Sequence, residues 1–178
     1  YQKKKYVWKL VYIYMLGYDV DFGHREVVEL VGSSKYSEKQ VGYVAMSLLL
    51  KSGDSLLSTV TRTIRNDLVS STADADAGVT LALVSIANVQ GVDLLKALHV
   101  EVQQILVSKH TSPAVKKKAA LCLLRLIRVL PDAVESAAFA EHIATLLQEQ
   151  HLGVLCSTIS LLIGLTSRHE EEYATLIP

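Results

Sequence analysis

Proline and cysteine are scarce in this chain, whose 178 residues include 3 Pro and 2 Cys. Half of the residues are hydrophobic, so the chain can bury a sizeable core and does not fit the disordered class. Cys122 and Cys156 each lie in an apolar helical run, which predicts two buried thiols and no disulfide framework. This cysteine usage favours a reducing cytosol over a secreted domain.

Neither charge nor hydrophobic length indicates a general polyanion binder or a membrane span. The 18 Lys and Arg balance 18 Asp and Glu, so any affinity for a polyanion must be local. The longest hydrophobic run, Val7 to Leu16, contains Lys9 and is too short to cross a bilayer. The opening YQKKKY is not a signal peptide. Because it also lacks an initiator Met, we expect a segment of a longer protein.

The sequence has no pattern typical of catalysis or of metal and cofactor binding. Its 6 His are scattered, and the run from His169 to Glu172 lacks the second histidine of the HExxH zinc motif. Cys122 lies in an apolar run that would bury its thiol and raise the thiol pKa, which argues against a nucleophile. We therefore predict a non-enzymatic protein with no catalytic residue, no metal and no cofactor.

Four apolar helical runs resemble one another and carry a small residue at a regular interval. The small residues recur every 37 or 38 positions, at Ala45, Ala82, Ala120 and Ser157. Such self-similarity is typical of stacked helix pairs, and the tetratricopeptide signature is absent. We predict an all-α, armadillo/HEAT-like α-solenoid of antiparallel helix pairs, with residues 1–178 forming one segment. The small residues should lie buried where pairs meet.

Helix ends are marked in several places. Ser112 is a good N-cap, Pro113 suits the first helical position, and Pro131 cannot continue a helix, so the stretch between Ser112 and Pro131 predicts one helix. Ser37 and Gln40 form an S-x-x-Q pattern that predicts a capping box for the helix carrying Ala45.

A cluster of lysines opens the chain on a predicted helix from Lys3 to Leu16. Lysines stand at positions 3, 4, 5 and 9, with Tyr6 and Trp8 between them. The cluster is consistent either with a solvated helix end or with a site for anionic head groups. Lys5 and Lys9 fall opposite the apolar face, whereas aromatic residues in such runs belong more often to the core. A second run, Lys116 to Lys118, predicts a solvated surface.

At these residues the chain resembles the N-terminal trunk of α-adaptins, the large subunit of the endocytic clathrin adaptor (adaptor protein complex 2). The resemblance extends along the whole chain in one register. It is carried by KKKYVWKL, LGYDVDFGHREVVELVGSSKYSEKQVGY, IRNDL, IANV, KKAALCLLRLIR and QHLGV. The related γ-adaptin, which serves internal membranes, is the main alternative, but the KKKY and DFGH elements favour the α type.

The resemblance implies a cytosolic scaffold subunit for endocytosis and vesicle-mediated protein transport, peripheral on plasma-membrane coated pits. It implies β-, μ- and σ-type adaptin partners, clathrin contacted through the complex, and a phosphatidylinositol 4,5-bisphosphate membrane surface. The phosphoinositide-binding residues that it implies are Lys3, Lys4, Lys5, Tyr6 and Lys9.

Two other classes of solenoid remain open at this stage. A peptide-binding armadillo protein needs a tryptophan in each repeat, and Trp8 is the single tryptophan. A nucleic-acid-binding solenoid needs a basic stripe along successive repeats, whereas the lysines here form two patches. We therefore predict no nucleic-acid partner.

Overall fold

The computed structural model describes residues 2–51, 53–70, 75–89, 91–131, 134, 136–167 and 170–173. Its helices are α1 (Gln2–Met15), α2 (His24–Val31), α3 (Tyr36–Leu49), α4 (Leu57–Val69), α5 (Ala75–Asn88), α6 (Val92–Val107), α7 (Pro113–Val129), α8 (Ser136–Leu146), α9 (Leu152–Thr166) and α10 (Glu170–Tyr173). They account for more than two-thirds of the chain, and the described ranges contain no strand.

The chain divides into two compact units, residues 1–94 and 95–178. In the first unit, α1 packs on α3 and α3 packs on α5, while α2 packs on α4. Odd-numbered helices therefore form one layer and even-numbered helices the other. In the second unit, α7 packs on α9 and α8 on α10. This two-layer order of successive helix pairs confirms the predicted α-solenoid class.

The four repeated small residues are buried, as predicted. Ala45, Ala82 and Ala120 are inaccessible to solvent, and Ser157 is 4% exposed. The Ser157 hydroxyl donates to the Val154 carbonyl oxygen at 2.8 Å, so its burial leaves no unpaired polar group.

Two helix contacts in addition depend on glycine. A Cβ atom added to Gly42 on α3 would collide with the backbone of Leu30 and Val31 on α2. A Cβ atom on Gly164 of α9 would come within 2.5 Å of Leu124 Cδ1 on α7. Glycine therefore permits both contacts, which the periodicity of the sequence does not indicate.

One predicted helix start is correct and another is wrong. The Ser112 side chain accepts a hydrogen bond from the Val115 backbone N–H, with Pro113 at the first helical position, as predicted. Helix α3 instead begins at Tyr36, so Ser37 lies inside it and cannot cap it. The N-cap is Lys35, which makes no side-chain capping bond; just before the helix, the Ser33 hydroxyl donates to Glu38 Oε2 at 2.8 Å.

Candidate functional site

Helix α1 carries the lysine cluster and is held against the protein along one side. Val7, Leu10 and Val11 are buried there, where α1 packs on α2 and α3. Gly23, the N-cap residue of α2 with φ of 82°, lies directly beside the Leu10 side chain, and a Cβ atom at this glycine would overlap Leu10 Cδ1. The packing therefore fixes which side of α1 faces solvent.

The solvent side of α1 combines lysines with aromatic rings. Lys4, Lys5, Trp8, Lys9 and Tyr12 line one shallow cavity of about 520 Å³; we call these five residues the basic aromatic face. Trp8 is 44% exposed and Tyr12 is 63% exposed. The expectation that such aromatics pack in the core is wrong here, because the core side of α1 is already occupied by aliphatic residues.

Lys3 and Tyr6 lie on the other flank of α1. Lys3 forms a salt bridge with Glu29 of α2, and this hydrogen bond and charge raise the pKa of the Lys3 ammonium. Tyr6 is 57% exposed, and its ring centroid lies 5.4 Å from Lys9 Nζ, a cation–π contact. Lys3, Tyr6 and Lys9 line a second cavity of about 500 Å³.

The five residues implied by the resemblance are thus divided between two cavities. Lys4 and Lys5 belong to the basic aromatic face, Lys3 and Tyr6 to the second cavity, and Lys9 lines both. Among the residues that the structure describes, Lys4, Lys5 and Lys9 form no salt bridge. Sequence reasoning missed Tyr12, although its i,i+4 spacing from Trp8 places both rings on one side of a helix.

The second lysine run does not form the solvated surface that the sequence predicts. Lys116 is only 8% exposed, and its Nζ atom lies 2.5 Å from Glu149 Oε1. Lys117 is exposed and Lys118 is half-buried. The run therefore consists of one buried, ion-paired lysine that joins α7 to the segment after α8, followed by two more accessible lysines.

A half-buried polar cluster joins α3 to α4. Asp67, in the IRNDL element, accepts hydrogen bonds from Lys39 Nζ at 2.5 Å and from the Tyr43 hydroxyl at 2.6 Å. Burial, followed by the hydrogen bond to Asp67 and the charge of Asp67, raises the pKa of Tyr43 well above its ordinary value. Because the phenol stays protonated and both acid oxygens are paired, this cluster stabilises helix packing and holds no reactive group.

The two cysteines differ, contrary to the prediction that both are buried. Cys122 is buried, and its burial raises the pKa of the thiol to about 12. Cys156 is exposed. It lies on α9 at helical spacing with three exposed apolar residues: Leu152, Ile159 and Ile163. Helix α9 is apolar on all sides, so periodicity alone could not tell which side is covered.

The described part of the chain contains no group of three or more His, Cys, Asp or Glu that could hold a metal ion. His24 and Asp54 form one acid–histidine pair, with Nδ1 3.6 Å from Oδ2. His169, which begins the rejected HExxH-like run, lies outside the described residues.

No described helix has the length and hydrophobicity needed to cross a bilayer.

Comparison with known proteins connects this geometry to one family. Residues 1–178 match the family described as the adaptin N terminal region. The chain is 48% identical over 178 residues to AP-2 complex subunit alpha-1 of Arabidopsis thaliana, covering 100% of this chain and 17% of that protein. It is 36% identical over 163 residues to AP-1 complex subunit gamma-1 of the same organism, covering 92% of this chain and 18% of that protein.

The match to the alpha subunit exceeds the match to the gamma subunit, as the KKKY and DFGH elements indicate. The chain spans about a sixth of the length of these curated relatives.

A solved-structure comparison supports the fold independently. A chain in a homology model of the full-length AP-3 complex in an intermediate open conformation matches with a TM-score of 0.80 and 22% identity. The match covers 98% of this chain and 30% of that chain. This likeness concerns the fold, and the match of residues 1–178 to the family model shows that the chain belongs to the adaptin N-terminal region family.

Proposed function

We propose that this chain is a scaffold segment of the large α-type subunit of a clathrin adaptor in endocytosis. The observation that carries the proposal is the 48% identity to an AP-2 alpha subunit over all 178 residues. In this proposal the chain has no enzymatic activity, assembles with β-, μ- and σ-type adaptin subunits, and contacts clathrin through the complex. It acts in the cytoplasm on plasma-membrane coated pits, as one continuous solenoid segment of a longer trunk.

The membrane part of the proposal concerns α1. Lys3, Lys4, Lys5, Tyr6 and Lys9 form a phosphatidylinositol 4,5-bisphosphate site, in which Lys4, Lys5 and Lys9 supply ammonium groups that no described carboxylate neutralises. Each lysine near an anionic membrane contributes about 1 kcal/mol, so three of them give a dissociation constant weaker than about 1 mM. The site therefore needs other ligands on the same complex to hold it at the membrane.

The lipid site is tested by removing its charge within the assembled complex. We expect the replacement of Lys3, Lys4, Lys5 and Lys9 by Gln to abolish sedimentation with phosphatidylinositol 4,5-bisphosphate vesicles and to leave subunit assembly intact. The matched control replaces four lysines elsewhere: Lys96, Lys109, Lys117 and Lys118. If both variants lose vesicle binding equally, binding depends only on the total charge of the protein, and the proposal of a site on α1 is overturned.

Assembly is tested separately by co-expression of the full-length chain with β-, μ- and σ-type subunits. Recovery of a four-subunit complex supports the scaffold role. A chain that captures none of these subunits, but binds peptides or oligonucleotides, would instead favour the other two classes of solenoid.

A further inference from the structure

The basic aromatic face has an apolar component that charge alone does not explain. We propose that Trp8 and Tyr12 enter the interfacial layer of the membrane when Lys4, Lys5 and Lys9 hold phosphoinositide head groups. The inference rests on the proposed function and deepens it, because it makes the lipid interface itself a second ligand of the same site. It commits the face to one occupant, a membrane surface that contains anionic lipid.

The order of residues around α1 suits this arrangement. At about 100° per residue, the five residues of the face span an arc of about 140°, bounded by Lys4 and Lys9. Trp8 and Tyr12 lie inside the arc, at about 40° and 80° from Lys4. All five line the same cavity. Two rings flanked by ammonium groups are therefore presented together on one side of the helix.

This composition matches the chemistry of a bilayer surface. Tryptophan and tyrosine concentrate at membrane–water interfaces because each ring is apolar and carries one polar atom. Lysine can lay its methylene stem along apolar surface while its ammonium group stays at the level of the phosphates. Amphipathic helices that lie in the interface carry these residue types on adjacent faces.

The same charges argue against a protein as the occupant of the face. A protein interface over Trp8 and Tyr12 would desolvate the neighbouring lysines, and burial of an unpaired ammonium group is costly. Lysine is accordingly depleted in the cores of protein interfaces. A membrane rich in phosphate neutralises these ammonium groups while it covers the rings.

The fluorescence of Trp8 reports on the surroundings of its ring, because Trp8 is the single tryptophan in the 178 residues. We expect its emission maximum to move to shorter wavelength on addition of phosphatidylcholine vesicles that contain a few per cent phosphatidylinositol 4,5-bisphosphate. Vesicles with brominated acyl chains should quench it. Soluble inositol 1,4,5-trisphosphate should produce neither effect, because it offers phosphate without an interface.

Three results would overturn the inference, and they differ in whether lipid binding by the lysines is still supported. Sedimentation with vesicles without any change in Trp8 emission would leave lipid binding by the lysines intact. A failure of the assembled complex to sediment with these vesicles would overturn the lipid part of the proposed function as well, because in the complex the other ligands contribute to binding. Emission at short wavelength without vesicles, increasing with protein concentration, would show that a second copy of the chain covers the face.

Substitutions that leave the net charge unchanged test the basic aromatic face without relying on Trp8 fluorescence. We expect Tyr12→Ser to lower vesicle affinity about threefold and Trp8→Ala to lower it about tenfold, since apolar ring surface no longer leaves water. Tyr36→Ser is the matched control, because Tyr36 is also exposed, at 51%, but lies on α3 outside this face. Circular dichroism checks that each variant keeps its helix content. Equal affinities for all three variants and the unmodified chain would overturn the inference.

Discussion

Helices α1 and α7 both carry three consecutive lysines, but they are buried to very different extents. Three of the 14 residues in α1 are buried, whereas α7 has eight buried residues among its 17, including Lys116 and Cys122. On α1 the lysines lie beside exposed aromatic rings. On α7 the first lysine of the run, Lys116, is buried and forms an ion pair with Glu149. A run of three lysines therefore lies on the solvent-exposed side of α1, whereas on α7 the first lysine of such a run is part of the packing between helices.

The largest expected difference concerns thiol chemistry on α7. At about pH 8, a thiol-selective reagent should label Cys156 of the folded chain and leave Cys122 unreacted. Burial raises the pKa of Cys122 from 9.0 to about 12, which lowers its thiolate fraction about a thousandfold. Mass spectrometry of the labelled, digested chain measures this selectivity. Both cysteines should react after unfolding, and rapid labelling of folded Cys122 would contradict the burial of this part of α7.

The same thiol predicts a dependence of stability on pH. The folded chain binds the Cys122 proton more tightly than the unfolded chain, because the folded pKa is the higher one. The free energy of unfolding should therefore fall as pH rises from about 9 towards 12. Denaturant titrations of the unmodified chain and Cys122→Ala over this range isolate the contribution.

The next largest effect concerns the buried lysine of α7. We expect Lys116→Ala to lower the free energy of unfolding by about 2 kcal/mol, roughly a thirtyfold change in the folding equilibrium, because it leaves Glu149 without its partner. Partial exposure of Glu149, at 35% of its side chain, keeps the cost below that of a fully buried pair. Thermal unfolding should shift by several degrees.

Lys117→Ala is the matched control for that change, since Lys117 is the next residue and is exposed. Its thermal unfolding should move by less than about 1 °C. If the two variants unfold at the same temperature, Lys116 has no structural role and the two lysine runs are equivalent.

A smaller effect is expected at Lys39, where the acid keeps a second donor. Lys39→Ala removes one of the two bonds to Asp67 and leaves the Tyr43 hydroxyl bound. We expect a loss of about 1.5 kcal/mol, roughly tenfold in the folding equilibrium. Denaturant unfolding measures it, with Lys109→Ala at an exposed lysine as control. A loss larger than that of Lys116→Ala would mean that the tyrosine does not compensate.

The fold could be predicted from the sequence because its signals are local and repeated. Four similar apolar runs and the Ser112–Pro113 helix start each need only a few neighbouring residues, and all were confirmed. The glycine contacts at Gly42 and Gly164 could not be predicted, because each depends on a helix that periodicity does not place.

The residue types of the proposed site follow from the sequence, but their division between two cavities does not. The positions of the lysines follow from the α-adaptin resemblance and the helical period. Lys3 and Lys4 lie on different flanks of α1, and Lys3 alone of the two is paired, with Glu29, which is 26 residues away. Lys116 differs from Lys117 both in its burial and in its ion pair with Glu149, which is 33 residues away. Long-range acid partners decide which lysines remain available, and no local pattern contains that information.

The smallest expected effect concerns the difference on α1 between Lys3, which has an acid partner, and the lysines that have none. The double variant Lys3→Gln with Glu29→Gln removes the salt bridge without changing net charge, so any loss of vesicle binding reports direct contact by Lys3. We expect affinity for phosphatidylinositol 4,5-bisphosphate vesicles to change less than about twofold, because a lysine held by an acid contributes little free charge.

The matched variant for this test is Lys9→Gln with Glu26→Gln, which also preserves net charge and removes a lysine of the basic aromatic face. Glu26 is exposed and lines the second cavity with Lys9, so both variants alter the same surface. Sedimentation at low and moderate salt measures both, and the Lys9 variant should bind a few times more weakly. If the Lys3 variant loses as much as the Lys9 variant, the salt bridge to Glu29 opens on the membrane, and Lys3 contributes as much as the lysines that have no acid partner.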